Sequence, residues 1–225
     1  MKSSLIEKGI PENKVFATGI PLSNRFLMHY NKKEILQSLG LKTGKTTVLF
    51  FAGGKFGLGK SNTYKILRTL AEQFSDIQVI AISGKNEKMQ REFNNIVEET
   101  KTHENIKVLE YTNMVPQLMT VSDLVITKPG GLTVTESLAS GLPIIIINPI
   151  PGQEEENAEF LEKSGVGIWL KKDINLEEFL ENLFKTKTTL KNMKIRARLL
   201  AKKNSTKDIC KILLDNWLTF SIKYI

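Results

Sequence analysis

The stretch Ser122–Asn157, SDLVITKPGGLTVTESLASGLPIIIINPIPGQEEEN, decides the fold. Leu124–Ile126 reads as a short apolar strand, and Pro129-Gly130-Gly131 turns it into a helix carrying Thr133, Glu136 and Ser137. A second turn, Gly141-Leu142-Pro143, leads to Ile144–Ile147, a continuous apolar run of the kind a parallel strand buried on both faces requires. A Pro-rich loop and another polar helix start follow. Two successive strand-to-helix turns rich in Gly and polar residues are what a doubly wound sheet uses to hold a nucleotide at the carboxyl ends of its strands.

The same rhythm runs outward from this stretch. Strand Thr47–Phe51 leads through the glycine-rich turn Gly53–Gly59 to a helix ending near Phe74, with Thr63, Ile66, Leu67, Leu70, Ala71 and Phe74 on one face. Strand Gln78–Ile82, a polar helix to about Lys101, strand Ile106–Leu109 and a short helix to Val121 come next. Strand Val166–Leu170 and three helices follow the central stretch. Strands alternating with helices through short turns predict an α/β fold, a Rossmann-like doubly wound parallel sheet with C-terminal helices. Residues 45–204 form the expected nucleotide-binding domain, and 205–225 a C-terminal helix. Residues 1–44 offer one helix (Lys2–Gly9), one strand (Val15–Thr18) and a connection. Such a piece buries too little surface to stand alone and reads as the remnant and linker of another domain.

Among 225 residues, 32 Lys and Arg against 24 Asp and Glu give a formal net charge of +8. Nine of the bases lie between Asn182 and Lys207, a segment without an acid. That segment can meet an anionic membrane or water, and it lacks the interleaved aromatics of a single-strand nucleic-acid binder. No apolar run approaches the length of about 18 residues that a membrane helix needs. The chain opens without a signal peptide and holds a single cysteine, Cys210, so the expected compartment is the cytoplasm.

Three turns carry candidate chemistry. Gly54, four residues, then Gly59-Lys60-Ser61 matches a P-loop pattern between a strand and a helix. The apolar runs end in Ser83, Glu110, Thr127 and Asn148, so Glu110 is the nearest, and a weak, substitute for the strand-end acid that would hold magnesium. The other reading of Gly53 and Gly54 is a turn whose backbone N–H groups approach a phosphate or sugar. At Lys128-Pro129-Gly130-Gly131, two glycines at a helix start admit an anion to free N–H donors and about half a positive charge. Glu136, about a turn and a half along, can accept both hydroxyls of a ribose, or it can simply be solvated. Gln153-Glu154-Glu155-Glu156-Asn157 crowds acids into a first helical turn. Dipole compensation accounts for Glu155 and Glu156, whereas Gln153, Glu154 and Asn157 suit sugar hydroxyls. His29 and His103 lack metal-ligand spacing, and no catalytic triad presents itself. Tyr111 and Met114 can shelter a base edge or pack in a core.

The segments GIPLSNRF, AGGKFGLGK, SGKNEKM, YTNM, DLVITKPGGLTVTESLASGLPIII and NPIPGQEEENAEFL resemble, in consistent order over about residues 9 to 168, glycosyltransferase family 28 of the GT-B architecture. Within it they are similar to bacterial diacylglycerol glucosyltransferases and plant monogalactosyldiacylglycerol synthases. The resemblance implies the donor half of an inverting UDP-sugar-dependent hexosyltransferase with a diacylglycerol-type lipid acceptor. No cofactor and no tightly held metal are implied. Gly130, Gly131, Leu132 and Thr133 would hold the diphosphate, Glu136 the ribose, and Gln153, Glu154 and Asn157 the donor sugar. Asn113, Met114 and Val115 would meet the uracil, and the loop with Gly53 and Gly54 would face the cleft. The acceptor half, which supplies the base in such enzymes, is expected from a missing domain or a separate subunit, so no residue here is assigned a catalytic role. Alternatives are a nucleotide-sugar-binding subunit without chemistry and a P-loop NTPase. The expected location is the cytoplasm, peripheral at the inner face of the plasma membrane.

Overall fold

The computed structural model describes residues 2–52, 60–171 and 173–222, without the side chains of Ser3, Lys60, Lys187 and 216–222. Helix α1 (Lys2–Glu7) opens the chain and α2 (Lys32–Ser38) follows. Strands and helices then alternate: β1 (Thr46–Phe51), α3 (Lys60–Gln73), β2 (Ile77–Gly84), α4 (Glu87–Thr100), β3 (Ile106–Glu110), α5 (Val115–Val121) and β4 (Leu124–Thr127). After these come α6 (Gly131–Ala139), β5 (Ile144–Ile146), α7 (Gln153–Lys163), β6 (Gly167–Trp169), α8 (Leu176–Lys185), α9 (Lys187–Leu200) and α10 (Ser205–Ile222). Asparagines start three of the helices. Asn31, Asn86 and Asn175 accept first-turn N–H groups of α2, α4 and α8.

The chain divides into two compact units, Met1–Ser23 with Lys202–Ile225, and Asn24–Ala201. In the smaller unit, Ser205 Oγ donates to Ile20 O at 2.8 Å. The expected strand Val15–Thr18 does not form. Val15 is extended (φ −113°, ψ 110°) and buried, but the segment belongs to no sheet. Its unit holds no other strand among the described residues, so its N–H and C=O groups have no ladder to join. The last helix is expected from its sequence to place Ile209, Ile212, Leu213, Trp217 and Phe220 on one stripe, and the side chains of Trp217 and Phe220 lie outside the described residues.

The larger unit is a six-stranded parallel sheet in the order β3-β2-β1-β4-β5-β6. Residues 24–44 cluster with this sheet, Leu36 and Leu41 packing into its core. Strands β2, β4 and β5 are buried at nearly every position, which is why they read as unbroken apolar runs. Alternate residues feed two cores. Val48, Phe50, Leu124 and Ile126 face α3, α4 and α8, while Leu49, Val125, Ile144 and Ile146 face α2, α5, α6 and α7. Each fully buried Leu, Ile or Phe contributes about 1.5–3 kcal/mol, so both helical layers are fixed by the sheet. The strand order reverses between β1 and β4. That reversal opens a crevice at their carboxyl ends, where this kind of sheet receives ligands.

Candidate functional site

A cavity of about 280 Å³ occupies this crevice. Phe51, Ile82 and Gly84, at the ends of β1 and β2, form its apolar floor, and Lys128, Gly130, Thr133 and Glu154 its polar wall. The floor depends on a bulge, since the pairing of β2 with β3 shifts between Ile82 and Gly84.

Helix α6 aims its start at the cavity. Its N-cap Gly130 offers no side-chain cap, and the first intrahelical bond runs from Val134 N to Gly130 O at 2.9 Å. The N–H groups of Gly131, Leu132 and Thr133 therefore have no acceptor within the helix, and the helix dipole adds positive potential at the same point. Gly130 has an ordinary φ of −65°, so its backbone does not require glycine. A Cβ there would meet only Glu154 Oε1, at 3.9 Å. What glycine provides at 130 is room beside the cavity.

Lys128 is half-buried and its ammonium forms no ion pair among the described residues. The sequence reading missed it, although it stands inside the central stretch, because an isolated lysine reads as solvated. Glu136 lies one turn beyond Thr133 on α6, behind the lining residues. It is half-buried and without a hydrogen-bond partner among the described residues, and burial holds its carboxyl above the ordinary value. An unpartnered carboxylate beside unpartnered N–H groups can receive neutral hydroxyls and an anion together.

The start of α7 is tied to its surroundings. Glu154 Oε2 accepts from Ile150 N at 2.8 Å, and Asn157 Nδ2 donates to Pro129 O at 2.9 Å. Asn157 thus braces the Pro129-Gly130 turn, and Glu154 faces the cavity while shaping its own loop. Gln153 is exposed and does not line the cavity. Asn113, Met114 and Val115 sit in the loop after β3 and at the start of α5, also outside the lining. Asn113 O accepts from Arg25 Nη2 at 2.7 Å, Met114 is exposed, and Val115 packs against the core. Gly53 and Gly54 fall outside the described residues.

Among the described residues no group of three or more His, Cys, Asp or Glu could hold a metal ion. Glu110, the acid at a strand end, is exposed, lies on the edge strand and accepts from Gln90 Nε2 at 2.8 Å. No helix of the described residues is long and apolar enough to cross a membrane.

Residues 48–212 match the glycosyltransferase family 28 C-terminal domain. A processive diacylglycerol beta-glucosyltransferase of Staphylococcus epidermidis is 36% identical over 216 residues, which are 95% of this chain and 54% of that protein. The chain thus spans about half the length of the curated relatives it matches. Two solved structures share the fold. UDP-GlcNAc 2-epimerase from Neisseria meningitidis bound to UDP-GlcNAc superposes with a TM-score of 0.73 at 18% identity, over 95% of this chain and 59% of that one. Anabaena Alr3699/HepE in complex with UDP and glucose gives 0.61 at 17% identity, over 94% and 60%. The chain belongs to glycosyltransferase family 28 and carries its C-terminal domain.

Proposed function

We propose that this chain is the donor half of an inverting transferase, holding a UDP-hexose for transfer to a diacylglycerol-type lipid. The observation that carries the reading is the uncapped start of α6 at the sheet's crevice, with Glu136 unpartnered one turn behind it. The diphosphate would take the N–H groups of Gly131, Leu132 and Thr133, with Lys128 facing its charge. Glu136 would accept the ribose hydroxyls, and Glu154 with Gln153 would meet the hexose. As the sugar leaves UDP, negative charge grows on the β-phosphate, where fixed N–H dipoles stabilise it without reorganising. The acceptor hydroxyl needs a base held in line with the anomeric carbon. We assign that base to another half of the enzyme, and no residue here a catalytic role.

The diacylglycerol glucosyltransferase relatives and the UDP-bound fold neighbours support this assignment. A peripheral position at the cytoplasmic face of a membrane follows from a lipid acceptor and is part of the proposal. Calorimetry with UDP and UDP-glucose tests it. The 225-residue chain is expected to bind both, with or without a chelator, and to transfer no sugar to diacylglycerol until an acceptor half is added. ATP binding that needs magnesium, with no affinity for UDP, would overturn it.

A further inference from the structure

The loop between β5 and α7 contains a feature that the site above does not use. Asn148, two residues past the end of β5, is half-buried with a left-handed φ of 44°. The other non-glycine residue with positive φ among those described, Lys101, ends helix α4 and has the ordinary reason of a helix cap. Asn148 ends no helix. Its Oδ1 instead accepts from Nδ2 of Asn62, in the first turn of α3, at 3.1 Å across 86 positions of sequence.

This bond is one of three side-chain ties on the loop and helix that carry Glu154 to the cavity. Asn62 fixes the start of the loop at Asn148, Glu154 fixes its middle through Ile150 N, and Asn157 fixes α7 to Pro129. Asparagine is among the few non-glycine residues that enter the left-handed region readily, and here its side chain is also held by Asn62. We propose that Asn62 and Asn148 form a latch that sets the loop so that the first turn of α7 meets the hexose of the donor. Both are positioning residues for hexose recognition. The proposal rests on the UDP-hexose reading, and deepens it by separating the hexose side of the site, held by the latch, from the uridine diphosphate side, held by α6.

The test compares UDP-glucose with UDP on the same chain. Asn62→Ala removes the donor, and Asn148→Gly removes the acceptor while keeping the left-handed backbone accessible. Each is expected to weaken UDP-glucose binding by roughly 3- to 10-fold, the worth of one neutral hydrogen bond, and to leave UDP affinity unchanged. The double variant is expected to be no worse than Asn148→Gly alone, because without Asn148 Oδ1 the Asn62 amide has no shared bond left to lose. Thermal melting shows that each variant is folded. Equal weakening of both ligands, or losses that add, would overturn the latch. Variants that match a wild type able to bind both ligands overturn the latch alone, whereas a wild type that binds neither overturns the UDP-hexose reading with it.

Discussion

The two edges of the sheet treat their polar groups in opposite ways. At the amino edge, Asp123 accepts from Thr47 N at 2.9 Å and from Lys194 Nζ at 2.7 Å, so β1, β4 and α9 meet on one carboxylate. Gln78, wholly buried, uses its amide three times, on Lys42 N, Lys42 O and Thr47 Oγ1. At the carboxyl edge, Glu136, Lys128 and the first N–H groups of α6 have no protein partner among the described residues. Even the glycines differ. Gly141 and Gly165, at the amino edge, have φ of 69° and 65°, while Gly130 has an ordinary φ. The amino edge is closed by the protein's own bonds, whereas at the carboxyl edge the start of α6, Lys128 and Glu136 stay unpartnered among the described residues.

The largest effect expected from breaking this contrast is at Glu136. Glu136→Ala should weaken UDP binding by about 1.5–3 kcal/mol, the range for hydrogen bonds to a charged group, with no loss of thermal stability. Its pKa gives the contrast a pH signature. A folded pKa above the unfolded one means that the native state holds more protons between the two values, so stability falls as pH rises through that window. Glu136→Gln should therefore gain stability over wild type as pH rises through the window, and match it below. UDP affinity of the wild type should fall on acidification, as the carboxylate proposed to accept ribose hydroxyls becomes protonated. Parallel melting and titration series would check both signs, and a pH-independent difference between wild type and Glu136→Gln would contradict the buried-carboxyl account.

Asp123→Ala should do the reverse. It leaves Thr47 N and a Lys194 side chain only 29% exposed without their acceptor, at a cost of about 1–3 kcal/mol. UDP affinity of the folded fraction should stay at the wild-type value. A variant that melts normally but loses UDP would erase the distinction between the edges.

This contrast also explains which features were legible in the sequence. Strands buried on both faces must be apolar throughout, so β1, β2, β4 and β5 stood out, and the glycine turns marked where each helix starts. Val15–Thr18 shows the limit of that signal, because an extended apolar segment becomes a strand only where a partner strand is free. In the site, the start of α6 was legible because one local turn supplies all its donors. Phe51, Ile82 and Gly84 were not, since they meet only when β2 lies beside β1. Lys128 was not legible as a site residue, because its place in the crevice depends on strand order. Asn113 to Val115, implied by resemblance, lie outside the cavity lining. The Asn62–Asn148 bond joins residues that no local pattern connects.

A sharper form of the comparison uses the glycines. Gly141→Ala should cost about 1–2 kcal/mol of stability, the penalty of a left-handed L-residue. Its added Cβ would also lie 2.8 Å from Arg198 Nε. Gly130→Ala needs no strained backbone and meets no close atom, so its melting temperature should stay put while UDP binding weakens. Equal loss of stability in the two variants would mean that Gly130 serves the fold after all.

The smallest expected effect concerns the basic segment. Several of its charges are already used by the larger unit. Lys185 pairs with Glu181 at 2.6 Å and Lys194 with Asp123, while Arg198 lies over Gly141 and Arg196 over Gly165. Those two glycines directly follow the C-caps Ser140 and Ser164 of α6 and α7, so the two guanidinium groups stand where helix dipoles end negative. A cation there stabilises by about 0.3–1 kcal/mol and is screened by salt. Arg196→Ala and Arg198→Ala should each lower stability by that amount at low ionic strength, less at high, and leave UDP affinity alone. Vesicle sedimentation separates this role from membrane attraction. If the guanidinium groups act mainly on helix ends, removing both should barely change binding to anionic vesicles, and Lys191, exposed and unpaired among the described residues, should matter more. Loss of vesicle binding in the double arginine variant, with melting unchanged, would move the segment's purpose from the fold to the membrane.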